Sequence, residues 1–215
     1  KLKFVLDPGP GSVVNATSIG ILPEKLNGVV LSHFHIDHAT DANVYLDAIE
    51  TPFIIAEQHC LLDKSKTKAK FDYYPCITPY HAGKSKTYPV KDKDVVTISG
   101  FTFKAIKTDH YDPCVGYRIT GEGLDIGYIA DGAYYKGLEK QFEGCTILLA
   151  NAIVPKGQEV ERKYLTVDDV ITILKAMQTK PKKSATPKRK PGRVKKVKMA
   201  LAMPKVLKAS LSKNE

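Results

Sequence analysis

Short apolar runs separated by turn residues dominate the first 150 residues, and this pattern predicts a series of β-strands. The first run ends at a loop rich in proline and glycine that begins with Asp7. The runs that we expect to form strands are residues 2–6, 28–32, 53–56, 95–98, 101–106, 115–119, 126–130 and 147–150.

Two segments have helical spacing instead, residues 39–50 and residues 165–177, the second with Thr166 as its N-cap. The stretch 64–93 is polar, rich in lysine and broken by prolines, so we expect a long flap there. Strands dominate first and then alternate with helices. This order predicts an α/β fold in which two sheets pack face to face with helices outside.

The distribution of charge divides the chain into two parts. Residues 179–215 contain 13 Lys and Arg against one acid, whereas the other 178 residues contain 20 basic and 22 acidic residues. The tail also contains many prolines and little apolar periodicity. We therefore expect a folded domain over residues 1–178 and a basic tail over residues 179–215, disordered or partly helical, which can contact nucleic acid through phosphates.

The sequence lacks long apolar runs and CxxC pairs, and this narrows the class of protein. No apolar run approaches the length of about 18 residues that a membrane-spanning helix needs, so no membrane partner is expected. The four cysteines are widely scattered and form no CxxC pair. This spacing predicts reduced thiols and a cytoplasmic location.

A histidine cluster carries the clearest chemical signal. His33, His35, Asp37 and His38 lie within six residues, directly after a strand that we expect to be buried. Three imidazoles and a carboxylate in one loop can surround a cation, and these ligands suit Zn²⁺, with Mn²⁺ or Fe²⁺ as alternatives. The sequence therefore predicts a metal centre at this loop.

The HxHxDH pattern of residues 33–38 resembles the signature of the metallo-β-lactamase superfamily. The resemblance extends in motif order over about residues 2–177 and is nearest to ribonuclease-Z-like and other little-characterised hydrolases common in archaea. It implies an αββα sandwich of two mixed β-sheets flanked by helices. The usual N-terminal strands, and the last ligand histidine of the family beyond His110, have no counterpart in this sequence.

The resemblance also implies a role for individual residues. His33, His35 and His110 would hold one metal, Asp37 and His38 a second, and Asp131 would bridge the two. Asp37 would also accept a proton from the attacking water and so act as the catalytic residue. Asp7 would brace the histidine loop. Asp109 and Asp112 flank His110 and are candidates to orient it, with solvated loop acids as the alternative. His81 is a candidate for substrate contact, with an exposed loop histidine as the alternative.

These residues predict a metal-dependent hydrolase in which a metal-bound hydroxide attacks a phosphodiester or ester-like bond of a small molecule or a nucleic acid, RNA included. Because the late histidine has no counterpart, we expect the second metal to bind weakly and activity to be reduced. The alternative is a catalytically inactive metal-binding fold whose basic tail binds nucleic acid.

Overall fold

Residues 1–68, 70–155 and 163–177 are described here from a computed structural model. The tail predicted over residues 179–215 lies outside the described residues. In the described residues, nine strands form two sheets and two short strands form a third ladder. The strands are β1 Phe4–Leu6, β2 Gly28–Leu31, β3 Phe53–Glu57, β4 Lys86–Val90, β5 Val95–Ile98, β6 Phe101–Lys107, β7 Val115–Gly121, β8 Leu124–Ile129, β9 Ile147–Ala150, β10 Ala152–Val154 and β11 Leu165–Thr166.

The first sheet has the order β1-β2-β3-β4 and is parallel throughout. The second has the order β5-β6-β7-β8-β9 and is mixed, because only β8 and β9 run parallel. The helices are α1 Ser12–Ser18, α2 Ile36–Ala39, α3 Ala42–Ala48, α4 Pro79–Lys84, α5 Leu138–Gln141 and α6 Val167–Met177. Short 3₁₀ helices span Pro23–Lys25, Gln58–Cys60 and Lys64–Lys66.

Three hydrophobic clusters hold the layers together. Between the sheets, Ile55 of β3 belongs to the same buried cluster as Phe103 of β6 and Tyr117 of β7. Successive side chains of a strand point to opposite faces, so the neighbouring Ile54 packs outward with Tyr45 of α3. The first sheet is therefore covered by helices on one face and by the second sheet on the other.

The outer face of the second sheet is covered in the same way. Ile129 of β8 clusters with Phe142, directly after α5, and with Ile173 of α6, all three buried. The order of layers is helix, sheet, sheet, helix, which confirms the predicted α/β sandwich.

Two local predictions need correction. The segment 39–50 forms the end of α2 and a separate α3 rather than one helix, and Asp41 between them accepts a hydrogen bond from the Val13 N–H (3.0 Å). The predicted flap 64–93 ends in a regular strand, β4. Pro89 lies in β4, which is an edge strand. An edge strand tolerates a residue without an N–H, because that position need not donate to the ladder. Proline was therefore a misleading sign of a loop here.

Other local predictions are confirmed. The Thr166 hydroxyl accepts from the Asp169 N–H (3.1 Å) and caps α6, which begins one residue later at Val167. All four cysteines carry free thiols. Within the described ranges, no helix has both the length and the apolar character needed to cross a membrane.

Candidate metal centre

Four of the candidate site residues each follow the carboxyl end of a strand. Asp7 follows β1 and His33 follows β2, and these strands are parallel neighbours. His110 follows β6 and Asp131 follows β8, and both strands run antiparallel to β7 between them. Their carboxyl ends therefore lie at the same end of the second sheet, which brings His110 and Asp131 close to each other.

The two sheet edges are joined directly. The Tyr117 hydroxyl of β7 donates to the Leu31 carbonyl oxygen of β2 at 2.7 Å. The Val115 N–H donates to the Ser32 carbonyl oxygen at 3.0 Å, beside the histidine loop. These hydrogen bonds fix the loop after β2 against the start of β7.

The first cluster consists of His33, His35 and His110. One ring nitrogen of each lies within 4.8 Å of those of the other two. Nδ1 of His35 lies 3.4 Å from Nε2 of His110. Three imidazole nitrogens at this spacing can hold one divalent cation.

The second cluster shares His33 with the first and adds His38 and Asp131. Nε2 of His38 lies 3.5 Å from Oδ1 of Asp131 and 3.6 Å from Oδ2 of Asp37. Asp37 is 68% exposed and belongs to neither cluster, although it borders the second. Five of the six predicted ligands therefore gather in two overlapping sets.

The hydrogen bonds of His33 show that its Nε2 suits a cation. The Ser32 hydroxyl donates to Oδ2 of Asp7 (2.5 Å), so it can only accept from His33 Nδ1, 2.9 Å away. The proton is then on Nδ1, and Nε2 carries a lone pair. Nε2 is buried and has no hydrogen-bond partner among the described residues, which is an expensive arrangement that a metal ion would relieve.

The electrostatics of the first cluster favour neutral ligands. Burial, together with the neighbouring imidazoles of His38, His35 and His110, lowers the pKa of His33 to about 2. Burial also lowers the pKa of His110. Both rings are neutral at pH 7 and can offer lone pairs.

The second cluster holds a proton in the absence of metal. Burial opposes the charged form of His38, but hydrogen bonds to Asp131 and Asp7 outweigh it and raise the pKa of His38 to about 10. Burial likewise opposes the charged Asp131, yet His38 and Asn151 hold its pKa at about 2. The pair is an imidazolium–carboxylate ion pair, and a cation at this point would compete with the proton.

Asp7 connects the histidine loop to the first strand. Its carboxylate accepts from the Ser32 N–H (2.7 Å), from the Tyr128 hydroxyl and from Nδ1 of His38 (3.0 Å). Its backbone is left-handed, with φ 45°, a conformation that non-glycine residues adopt at a cost. The predicted bracing residue is thus in contact with the loop and with one candidate ligand.

The structure gives Asp112 a different histidine partner from the predicted His110 and adds Asn151, which the sequence analysis missed. Oδ2 of Asp112 lies 2.7 Å from Nε2 of His35, which leaves Nδ1 of that ring for a metal. Asn151 donates to Oδ1 of Asp131. Asn151 directly follows β9, parallel to β8, so its place after a predicted strand was a usable signal.

Two predicted residues lie apart from the clusters. Asp109 forms an ion pair with Lys163 (2.7 Å). His81 lies in α4, where Nδ1 is 2.7 Å from the Thr78 hydroxyl and Nε2 is 4.0 Å from Asp47. Neither residue belongs to a group of candidate ligands in the described part of the chain.

A cavity of 450 Å³ borders the first cluster. His110 and Asp112 line it on the side of the metal ligands. Further lining residues are Glu57, His59, Phe71, Lys91, Asp92 and Lys107. The cavity is large enough for a small substrate or for part of a larger one.

Comparison with known proteins agrees with this geometry. Residues 3–185 match the family described as Beta-lactamase superfamily domain. An uncharacterised protein of Methanocaldococcus jannaschii is 30% identical over 183 residues, which cover 84% of this chain and 68% of that protein. A ribonuclease Z of Chlamydia muridarum is 29% identical over 119 residues, 54% of this chain and 39% of the relative.

The probable metallo-hydrolase YhfI of Bacillus subtilis is 29% identical over 125 residues, 58% of this chain and 50% of that protein. Its crystal structure, described as a metallo-beta-lactamase fold protein, superposes with a TM-score of 0.64 at 22% identity and covers 80% of this chain and 69% of that chain. The chain thus spans half or less of the YhfI and ribonuclease Z sequences, but the family match covers most of its own length. This chain belongs to the metallo-β-lactamase superfamily.

Proposed function

We propose that this chain hydrolyses phosphodiester bonds with divalent cations held by the two clusters. The observation that carries the proposal is the buried, unpartnered Nε2 of His33, which both clusters share. A buried nitrogen lone pair without a partner is costly, and a cation is the partner that the surrounding ligands fit. The relatives named metallo-hydrolase and ribonuclease Z support the same class of reaction.

The hydrogen bonds suggest which atoms would bind. His33 Nε2, His35 Nδ1 and His110 Nε2 would hold the first cation, because the other nitrogens of His33 and His35 are engaged. The second would be held by His38 Nε2, Asp131 Oδ1 and Asp37 Oδ2, with His33 nearby. Zn²⁺ suits this donor set, and Mn²⁺ or Fe²⁺ are the alternatives.

When bound, such cations make water acidic enough to give hydroxide near neutral pH and stabilise negative charge on phosphoryl oxygens. Asp37 would take the proton of the attacking water, since its exposed carboxylate borders the second cluster. Asp112 would keep the ring of His35 in one orientation.

Two lysines of the cavity wall favour an anionic substrate over a neutral ester once bound cations offset the wall's acids, Glu57, Asp92 and Asp112. Lys91 and Lys107 line the cavity beside His110, and no ion pair of either lysine occurs in the described residues. Two ammonium groups near a metal site attract a phosphodiester and hold its phosphate or a neighbouring one. We therefore propose a nucleotide-containing phosphodiester, such as a short RNA, as the substrate.

The test compares two chromogenic substrates in the presence of Zn²⁺ or Mn²⁺. We expect turnover of bis(p-nitrophenyl) phosphate that a chelator abolishes, and slower turnover of p-nitrophenyl butyrate. The variant His35→Ala should lose the activity and part of the bound metal, whereas His81→Ala should retain its metal content. Metal-independent turnover, or equal turnover by His35→Ala, would contradict the proposal.

A further inference from the structure

A buried carboxylate–imidazole pair lies at the end of β3. Glu57 is the last residue of the strand, and His59 follows in the 3₁₀ helix Gln58–Cys60. Their side chains are only 3% and 7% exposed. Buried ionisable groups are costly unless they are paired, and neither is a ligand of the two metal clusters, so the pair invites an explanation of its own.

Two contacts fix the imidazole to the carboxylate. Oε1 of Glu57 lies 2.8 Å from Nδ1 of His59, and Oε2 accepts from the His59 backbone N–H at 2.9 Å. The hydrogen of this contact lies between Oε1 and Nδ1, so Nδ1 is occupied and Nε2 is the nitrogen that can exchange a proton with a ligand.

Aromatic rings restrain the imidazole further. The ring centroid of His59 lies 4.8 Å from that of Tyr73 and 5.3 Å from that of Phe71. Phe71 also stacks on Phe34, whose ring lies 5.4 Å from that of His35. The pair is thus connected by aromatic contacts to the loop that carries the metal ligands.

The same cavity joins the pair to the metal centre. Glu57 and His59 line it together with His110 and Asp112. The other charged residues of its wall are Lys91, Asp92 and Lys107. A substrate bound at the first cluster would extend along this wall and meet the imidazole.

The carboxylate of Glu57 also bears on the proton that the imidazole can carry. Burial raises the pKa of Glu57, although its hydrogen bonds with His59 act in the opposite sense. A general acid at this position needs a proton on Nε2, and a carboxylate held against Nδ1 favours that form of the ring. This is the arrangement in which an imidazole acts as a general acid.

We propose that His59, held by Glu57, donates a proton from Nε2 to the leaving-group oxygen of the phosphodiester. This inference rests on the proposed function. Hydroxide derived from water forms a bond to phosphorus, and the bond between phosphorus and the leaving oxygen breaks with its electron pair on oxygen. That oxygen takes the proton of His59 and leaves as an alcohol, and the solvent returns a proton to the imidazole.

The experiment uses two diesters whose leaving groups differ in their need for a proton. The p-nitrophenolate of bis(p-nitrophenyl) phosphate leaves without protonation, whereas the alkoxide of a dinucleoside monophosphate does not. Removing a general acid typically costs about 10²–10⁴-fold, so His59→Gln should lose about that factor on thymidylyl-thymidine and less than about threefold on bis(p-nitrophenyl) phosphate. Glu57→Gln should shift the ratio of the two rates in the same direction.

Asp63 provides the matched control. It caps the 3₁₀ helix Lys64–Lys66 by accepting from the Ser65 N–H, as Glu57 does at the preceding one, but it is exposed and lies outside the cavity wall. Asp63→Asn should leave both rates unchanged. Circular dichroism and metal content establish that each variant is folded, and if His59→Gln does not fold, the rate ratio of Glu57→Gln decides.

Equal loss on both substrates would overturn the role of His59 as an acid, because a merely structural role slows both alike. No loss on thymidylyl-thymidine would overturn it too. If the unaltered chain turns over neither diester with any metal, the proposed function itself fails and this inference falls with it.

Discussion

Oδ2 of Asp7 lies 3.0 Å from Nδ1 of His38, and both side chains are almost buried, at 7% and 11% exposure. This contact places the Nδ1 hydrogen on the side of Asp7 and leaves Nε2 of His38 towards Asp131, 3.5 Å away. Asp7 directly follows β1 and His38 lies in α2, so the contact also fixes the histidine loop to the first sheet. One carboxylate thus sets both the position and the tautomer of a candidate ligand.

Asp7→Asn should weaken metal binding because an amide cannot accept from all of these donors at once. We expect about a 10–100-fold loss of affinity at the second cluster. The loss of a buried charged acceptor should lower the free energy of unfolding by about 3–5 kcal/mol. Metal titration and chemical denaturation measure the two effects.

Tyr128→Phe is the control for this change. It removes one donor to Asp7 and leaves the contact with His38, so it should cost only about 1 kcal/mol and retain metal affinity. If Asp7→Asn and Tyr128→Phe behave alike, Asp7 does not act through His38.

Sequence patterns predicted the parts of the site that lie within one loop or at the end of one strand. His33, His35 and His38 follow a buried strand, and their spacing alone indicated a metal. His110 and Asp131 needed a family resemblance, because nothing local distinguishes a ligand histidine or aspartate from a solvated one. Both join the clusters in the structure.

Partners created by tertiary contacts could not be predicted in this way. Asp112 reaches His35, 77 positions earlier in the chain, although the local sequence suggested His110 as its partner. Glu57 and His59 are two positions apart, and no local pattern marks them as a pair, because their burial depends on Phe71 and Tyr73 from the following loop. Burial and orientation, which decide the chemistry here, are properties of the folded chain.

Gly9→Ala should destabilise the histidine loop. A Cβ at Gly9 would lie 1.9 Å from the carbonyl oxygen of Asp37, where only backbone movement could relieve the clash. We expect a cost of at least about 2 kcal/mol, because strain forced into a closely packed site is not absorbed by a flexible side chain. Thermal unfolding of the metal-free protein measures it.

Gly83→Ala serves as the comparison. Nothing lies within 4 Å of a Cβ at Gly83, which sits in α4, so alanine should be neutral or stabilise by up to about 1 kcal/mol. Equal unfolding temperatures for the two variants would show that the approach of Gly9 to Asp37 is not essential.

Asn151→Asp should make the metal-free protein less stable and increase the stabilisation that metal binding gives. Asn151 donates to Asp131, and an aspartate there would place two carboxylates side by side. Without metal their repulsion should lower the unfolding temperature, whereas with Zn²⁺ or Mn²⁺ the additional oxygen ligand should increase the stabilisation by metal. Differential scanning fluorimetry with and without metal measures both effects. The control Asn151→Ala lacks the new charge, so it should lose stability without metal and show no increase in the stabilisation by metal. A smaller metal-induced shift for Asn151→Asp than for the unaltered chain would contradict this expectation.

Binding of the second cation should release a proton at pH 8. His38 carries a proton there in the metal-free chain, since its pKa is raised to about 10 by Asp131 and Asp7. His33, with a pKa lowered to about 2, and His110 are already neutral, so the first cation should displace no proton from them.

A raised pKa in the folded state means that His38 stabilises the metal-free fold fully below its ordinary pKa of 6.5. That stabilisation is lost as the pH rises towards 10, while affinity for the second cation increases about tenfold per pH unit over the same range. Calorimetry in Tris and in HEPES, whose ionisation enthalpies differ, should give about one proton for the second binding event and none after His38→Ala. A proton count that is the same in both proteins would show that the displaced proton does not come from His38.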